Sequence, residues 1–216
     1  MYGNEGRDEF PIDVEAIFMH DNTVLPVAFW TRDYEESITN ERISIDRVID
    51  RQNAATFKQK GVGDRYKVEA RGVTSFLFRI GDFWYNGHTS DDMRIPGIHT
   101  RYEGAYYGGK RIIDERYDNP YKVQVEVRVV FMSGGYVKPL GFWWSDGVFY
   151  EIDRVADSQR SSSIRAGIIG LCYTIRVRGR ETLLYRDDDL WFMENRRNLV
   201  NVRVLDVHGR VVKQPF

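Results

Sequence analysis

ISIDRVIDRQ at residues 43–52 and YEIDRVADSQ at residues 150–159 are one phrase written twice, at a shift of 107 residues. Each copy sets an arginine among alternating aliphatic residues, the pattern of a half-buried strand. Working outward, Ile45 lies over Ile152, and the alignment runs on to Tyr85 over Phe192 with 14 of 41 positions identical. The identities include Arg47/Arg154, Asp50/Asp157, Gly63/Gly170, Tyr66/Tyr173, Arg71/Arg178, Gly72/Gly179, Arg79/Arg186, Asp82/Asp189 and Trp84/Trp191. Upstream, 12–30 lies over 125–143 at a shift of 113, matching Phe18/Phe131, Pro26/Pro139, Phe29/Phe142 and Trp30/Trp143. The change of shift puts extra residues near TRDYEESITNE in the first copy, and such insertions fall in surface loops. The chain reads as a tandem duplication of a unit of roughly 75 residues, the size of a small domain.

Within one unit, Ile12–Met19 alternates as a strand, HDNT and SGGY are turn sequences, and the runs to Trp30 and Trp143 return as hairpin partners. Pro26 and Pro139 belong at a sheet edge or a strand start. After the IDRV strand, NAATFKQKG and QRSSSIRAG have apolar residues at i,i+3 spacing and a terminal glycine, which predicts one short helical turn in each copy. Three further strands follow, turning at Arg71-Gly72 and Gly81-Asp82 in copy one and at Arg178-Gly179 and Asp188-Asp189 in copy two. The expected fold class is all-β, with two homologous barrel-like rolled sheets in tandem, because rolling up removes exposed edges. The expected divisions are 10–86 (first repeat), 87–119 (a Gly/Tyr-rich linker), 120–195 (second repeat) and 196–216 (a C-terminal hairpin extension).

Alternation places Ile43, Ile45, Arg47 and Ile49 on one face, so Arg47 and Arg154 are expected toward the apolar side. There each would lay its stem on the core and bond a carboxylate. The competing reading is a guanidinium presented in a groove to a phosphate or a partner carboxylate. Because Arg47, Arg154, Asp50, Asp157, Trp84 and Trp191 are kept in both copies, all six are read as markers of the shared fold.

The order of these residues resembles a family of small uncharacterised bacterial β domains often encoded beside Y-family translesion DNA polymerases. The family pattern runs P-hydrophobic-x-FxW, YxIxRVxD, GxxxYxVxxxG and LxRxxDxWF. Copy two carries it at Pro139, Phe142, Trp144, Tyr150, Ile152, Arg154, Val155, Asp157, Tyr173, Gly179, Leu184, Arg186, Asp189, Trp191 and Phe192. Copy one follows it through Pro26, Phe29, Ile45, Arg47, Val48, Asp50, Tyr66, Gly72, Leu77, Arg79, Asp82 and Trp84, and departs by its insertion and by Tyr85 in place of Phe. The resemblance spans both repeats, implies the β fold, and suggests an association with DNA repair.

Composition narrows the function. With 42% hydrophobic and 29% charged residues the chain is an ordinary globular sequence, and a net charge of −1 gives no overall basic footprint for nucleic acid. Aromatic residues are 14% of the chain, and 13 Tyr, 12 Phe and 5 Trp favour strands. Cys172 is the one cysteine, so no internal disulfide can form, which with an acidic, polar start and no long apolar run suggests the cytoplasm and no membrane contact. His88, Asp91, Asp92 and His99 share the linker without zinc-site spacing, and no metal is expected. YYGGK at 106–110 lacks the first P-loop glycine and the Ser or Thr after lysine. SSS at 161–163 lacks a nucleophile elbow. No nucleophile–base set stands out, so the chain is read as a non-enzyme without a cofactor.

Binding has more support. Trp143, Trp144, Tyr106 and Tyr107 exceed the obvious needs of a small core, and Arg176, Arg178 and Arg180 alternate on one strand-and-turn face. The expectation is an interaction module that binds a protein partner, in association with DNA repair. The alternative is single-stranded nucleic acid on the Arg/aromatic face of the second repeat.

Overall fold

Strand propensity accounts for the regular elements among the described residues, and period-two burial marks several of them. The structure, a computed structural model, describes residues 10–31, 41–57, 61–87, 121–163 and 168–194, with the backbone alone at 54, 56–57, 162–163 and 168–169. The expected 87–119 linker, with Tyr106, Tyr107 and the His88/Asp91/Asp92/His99 group, lies outside the described residues from 88 onward, as does the expected hairpin at 196–216. The first half contains β1 (Val14–Phe18), β2 (Val24–Thr31), β3 (Glu41–Ser44), β4 (Arg47–Phe57), β5 (Gly61–Ala70), β6 (Val73–Ile80) and β7 (Phe83–Gly87). The second contains β8 (Lys122–Gln124), β9 (Glu126–Phe131), β10 (Val137–Trp143), β11 (Phe149–Glu151), β12 (Arg154–Ser163), β13 (Ile168–Val177), β14 (Arg180–Asp187) and β15 (Leu190–Glu194). The fold is all-β and antiparallel, as its sequence indicated, and no helix occurs among the described residues. Among those residues, accordingly, no helix is long and apolar enough to cross a membrane.

Each half rolls up in the same way. In the first, β4-β5-β6-β7 form one sheet, and the Ile12 N–H donates to the Trp84 carbonyl at 2.8 Å, carrying the roll on to β1, β2 and β3. The chain then bends between β3 and β4, where the Ile45 N–H bonds Val27 at 2.9 Å and the Asp46 N–H bonds Glu69 at 2.8 Å. One residue thus ties the end of the first sheet and the next ties the start of the second. The second half repeats these bonds from Val125 to Trp191 (3.0 Å), Ile152 to Leu140 (2.8 Å) and Asp153 to Arg176 (2.8 Å). The first meander turn needs left-handed backbone twice, met by Arg71-Gly72 (φ 52° and 73°) and Arg178-Gly179 (φ 50° and 75°). Gly63 and Gly170 are matched for another reason: a Cβ on either would meet a strand carbonyl, that of Arg79 at 1.9 Å or of Arg186 at 2.1 Å.

Two local expectations are corrected. The stretches expected to form a helical turn continue as strand through Phe57 and Ser163, and Ala55 pairs with Gly63 across the β4–β5 ladder. In the first half a register shift between Gln52 and Ala55 offsets the alternation, whereas in the second the pairing runs unbroken from Ser158 to Ser163. Arg47 and Arg154 are exposed rather than on the apolar side. The bend at Asp46 and the bulge between Val48 and Asp50 reset the alternation, so Ile43, Ile45 and Val48 pack on the core instead. The second half has the same bulge, between Val155 and Asp157. Asp50 and Asp157 therefore mark a bulge rather than a site.

The sequence did not reveal how the halves join. Strand β1 pairs with β9, with Ala16 opposite Val129 at the centre of the ladder and Val14 opposite Phe131 at one end. Ala16 and Val129 are themselves aligned positions, so the ladder has a local two-fold axis running through it, as an isologous dimer interface would. The result is one six-stranded sheet, β11-β10-β9-β1-β2-β3, shared by both halves. The core follows the same symmetry. Phe18 packs on Trp191 and Phe131 on Trp84, each pair at 5.6 Å between centroids and each crossing between halves. Tyr66 lies on Trp84 and Tyr173 on Trp191, both at 5.2 Å. One continuous hydrophobic cluster therefore spans both repeats.

Burial has a consequence in alkali. Desolvation pushes the Tyr173 and Tyr185 hydroxyls up to about 12, and raises Tyr66 further still. In the unfolded chain tyrosine ionises near 10. Between about pH 10 and pH 12 the unfolded state has therefore lost these protons while the folded state keeps them, and stability falls as pH rises through that window. Urea midpoints measured from pH 9 to pH 12 are expected to drop together with the rise of tyrosinate absorbance; midpoints that stay flat to pH 12 would contradict the buried placement.

Candidate anion-binding face

The symmetric framework allows each surface residue to be compared with its counterpart in the other half. At the seam the halves agree. Arg79 on β6 makes a two-pronged ion pair with Asp189, and Arg186 on β14 makes the matching pair with Asp82, with Nη1 distances of 2.8 and 2.9 Å. Both arginines are more than 90% buried, and both guanidinium groups lie over Phe18, at 5.7 and 5.3 Å from its centroid. A cleft of about 410 Å³ opens beside these crossed pairs, but its two arginines are already held by aspartates. This arrangement fastens the halves together.

On the outer edge the halves diverge. In the first half, Arg47 is paired with Glu69 at 2.7 Å and Arg71 with Glu41 at 2.6 Å. The Glu41 carboxyl is held below its usual range by Arg71. The corresponding residues of the second half are Arg154 with Arg176 and Arg178 with Val148. Both carboxylates have gone, and Arg180 replaces Val73. Strand pairing sets Arg154 directly opposite Arg176 and Val177 opposite Arg180, so the four arginines cluster at one end of the β12–β13–β14 sheet. All four are exposed. Glu181 reaches Arg176 at 3.3 Å, and among the described residues no carboxylate pairs with Arg154, Arg178 or Arg180. Arg178 instead lies over the Tyr150 ring at 4.6 Å, and Tyr150 in turn stacks on Phe142 at 5.6 Å. The matched set therefore has two arginines and two glutamates in the first half, but four arginines and one glutamate in the second.

No family model, curated protein or solved structure matches the chain.

The geometry sorts the residues singled out from sequence. Arg176, Arg178 and Arg180 lie at one end of the β13–β14 hairpin, but the single face expected from their alternation is corrected: Arg176 is opposite Glu181 and Val177 is opposite Arg180, so Arg176 and Arg180 project from opposite sides of the sheet. Trp144 packs against the core, and Trp143 is half-buried beside Phe149, with centroids 4.6 Å apart. Neither tryptophan is an open stacking platform. Trp84 and Trp191 are core residues with under 2% exposure. Cys172 is buried on β13, and burial pushes its thiol up, away from the thiolate a nucleophile needs. Among the described residues, no group of three or more His, Cys, Asp or Glu side chains is placed to hold a metal ion.

Arg154 is the residue of this edge that sequence reasoning misplaced, because the alternation put it on the apolar side. The signal was present in the alignment. Between the copies, Glu69, which pairs with Arg47, becomes Arg176, and Glu41, which pairs with Arg71, becomes Val148, so both arginines are kept while their neutralising partners are not.

Proposed function

We propose that this chain is a non-enzymatic binding module built from a duplicated unit, and that the arginine edge of its second half binds an extended polyanion, with single-stranded nucleic acid as the ligand that fits. One observation carries the reading: the carboxylates that neutralise Arg47 and Arg71 in the first half are replaced by Arg176 and Val148 in the second. Like charges set side by side cost stability in the free protein, and a phosphate chain would relieve that cost. Arg178 stacked on Tyr150 supplies the mix of guanidinium and ring surfaces that accommodates bases and phosphates together. The resemblance to domains encoded beside translesion polymerases agrees with such a ligand but does not carry the argument. An acidic segment of a repair protein is the competing partner, because it presents the same charge without bases.

Fluorescence anisotropy with a short labelled oligothymidylate, titrated over a series of salt concentrations, tests the reading. Binding should weaken steeply as salt rises. Replacing Arg176, Arg178 and Arg180 together by alanine should flatten the log–log salt slope by about 2, at roughly 0.7 per lost phosphate contact. An unchanged slope, or no binding at low salt, rejects nucleic acid on this face. Tight binding of polyglutamate with none of the oligonucleotide would give the face to an acidic protein partner.

A further inference from the structure

Next to the arginine edge, a groove of about 630 Å³ runs between β10, β11 and β12. That volume is typical of a small-ligand site. Its lining combines apolar surface from Pro139 and Ile152, the rings of Tyr136 and Phe149, and the cations Lys138 and Arg154. Two other charges in the groove are already engaged. Arg128 is bonded to Glu15 at 2.5 Å, and the Asp153 carboxylate accepts the Gly179 N–H at 3.0 Å. Among the described residues no carboxylate pairs with Lys138 or Arg154, and these two cations face any occupant together with the acids Glu151 and Asp153.

Phe149 is held in place from behind. It lies against Gly141 so closely that a Cβ on that residue would come within 2.3 Å of the ring, and it contacts Trp143. Despite that support it is 36% exposed, and Tyr136 is 41% exposed. Large aromatic rings fixed from behind and open in front lose little side-chain freedom when a flat group lands on them.

The first half keeps Pro26, Ile45 and Arg47 at the positions of Pro139, Ile152 and Arg154, but lacks the two rings and the lysine of this arrangement. The counterparts of Tyr136, Lys138, Gly141 and Phe149 are Thr23, Leu25, Ala28 and Arg42, as the strand pairings of β2–β3 and β10–β11 also require. Arg42 does not open a slot. Its guanidinium is bonded to Glu15 at 2.7 Å and lies 5.9 Å from the centre of the Trp30 ring. The aromatic wall and the free cations thus occur together, in the half that also has the bare arginine edge, and Arg154 belongs to both.

We infer that this groove takes one unstacked base of a single strand, with the base on Phe149 and Tyr136 and an adjoining phosphate on Lys138 and Arg154. The inference rests on the polyanion reading of the neighbouring edge and adds selectivity to it. A duplex offers its phosphates to the arginines but keeps its bases stacked inside, so the groove favours single strands.

The test compares a labelled oligothymidylate with the same strand annealed to its complement, on the full chain and on Phe149→Ala. Wild type should prefer the single strand. Phe149→Ala should weaken single-strand binding about 5-fold or more while leaving the duplex affinity and the salt slope unchanged. Tyr136→Ala lies on an exposed turn and decides the matter if Phe149→Ala disturbs the fold. Equal binding of both forms by wild type, or an intact preference in the variants, overturns the groove while salt-dependent binding still upholds the arginine edge. Absence of any binding at low salt overturns both.

Discussion

Replacing Asp189 by alanine is expected to cost about 3 kcal/mol of folding stability, the lower end of what breaking a buried ion pair costs. The figure sits at that end because Asp189 itself is 31% exposed and water can partly replace it. What makes the change severe is the partner left behind. Arg79 is 7% exposed, and its guanidinium and that of Arg186 both lie over the Phe18 ring. Without its carboxylate it becomes a buried cation beside another cation. Asp189→Asn keeps the shape and the acceptor oxygen and should cost clearly less. Asp82→Ala should behave like Asp189→Ala, since it strands Arg186 in the same way. The double variant should depart from additivity, because the four groups form one network. Urea denaturation with an unchanged m-value is the measurement, and a loss below about 1 kcal/mol for Asp189→Ala would show that the crossed pairs do not fasten the halves.

Trp84→Ala should be costlier, about 4 kcal/mol, in the range for removing a large buried aromatic. The Trp84 ring is fully buried, contacts Tyr66 of its own half, and meets Phe131 of the other half edge-on. Its loss hollows one half and loosens the seam at once. A cycle with Phe131→Leu should give a coupling of about 1 kcal/mol, the worth of an aromatic pair beyond its buried area. Trp84→Phe makes an informative contrast. The indole N–H of Trp84 has no hydrogen-bond partner among the described residues, and the same holds for Trp191. Phenylalanine removes that buried donor along with some volume, so it should be far milder than alanine. Equal losses for alanine and phenylalanine would contradict the placement.

The same two-copy comparison that made the architecture legible also concealed the candidate site. Residues kept in both copies were read as structural, and for Trp84, Asp50 and their counterparts the structure gives the reason: a shared core and a matched bulge. Arg154 was expected on the apolar side by that logic, and it is exposed. The arginine persists at an exposed position, and its surroundings change because Arg176 stands where the first half has Glu69, the partner of Arg47. The groove was harder to read. Tyr136, Phe149 and Arg154 belong to three successive segments of the chain and line one groove only because the chain bends at Asp153 between β11 and β12.

Period-two alternation, turn residues with left-handed backbone and two aligned copies were sufficient, without coordinates, to specify antiparallel strands, their turns and two similarly rolled halves. Those features depend on neighbours along the chain, or on contacts within one copy, and a repeat displays such contacts twice. The union of β1 with β9, the aromatic exchange between Phe18 and Trp191, and the crossed Arg–Asp pairs are contacts from one copy to the other. Alignment shows that such residues are alike but not that they touch. The three-dimensional packing alone decided that the two halves would bury one core, because each leaves an unpaired strand edge and an incomplete aromatic cluster that the other completes.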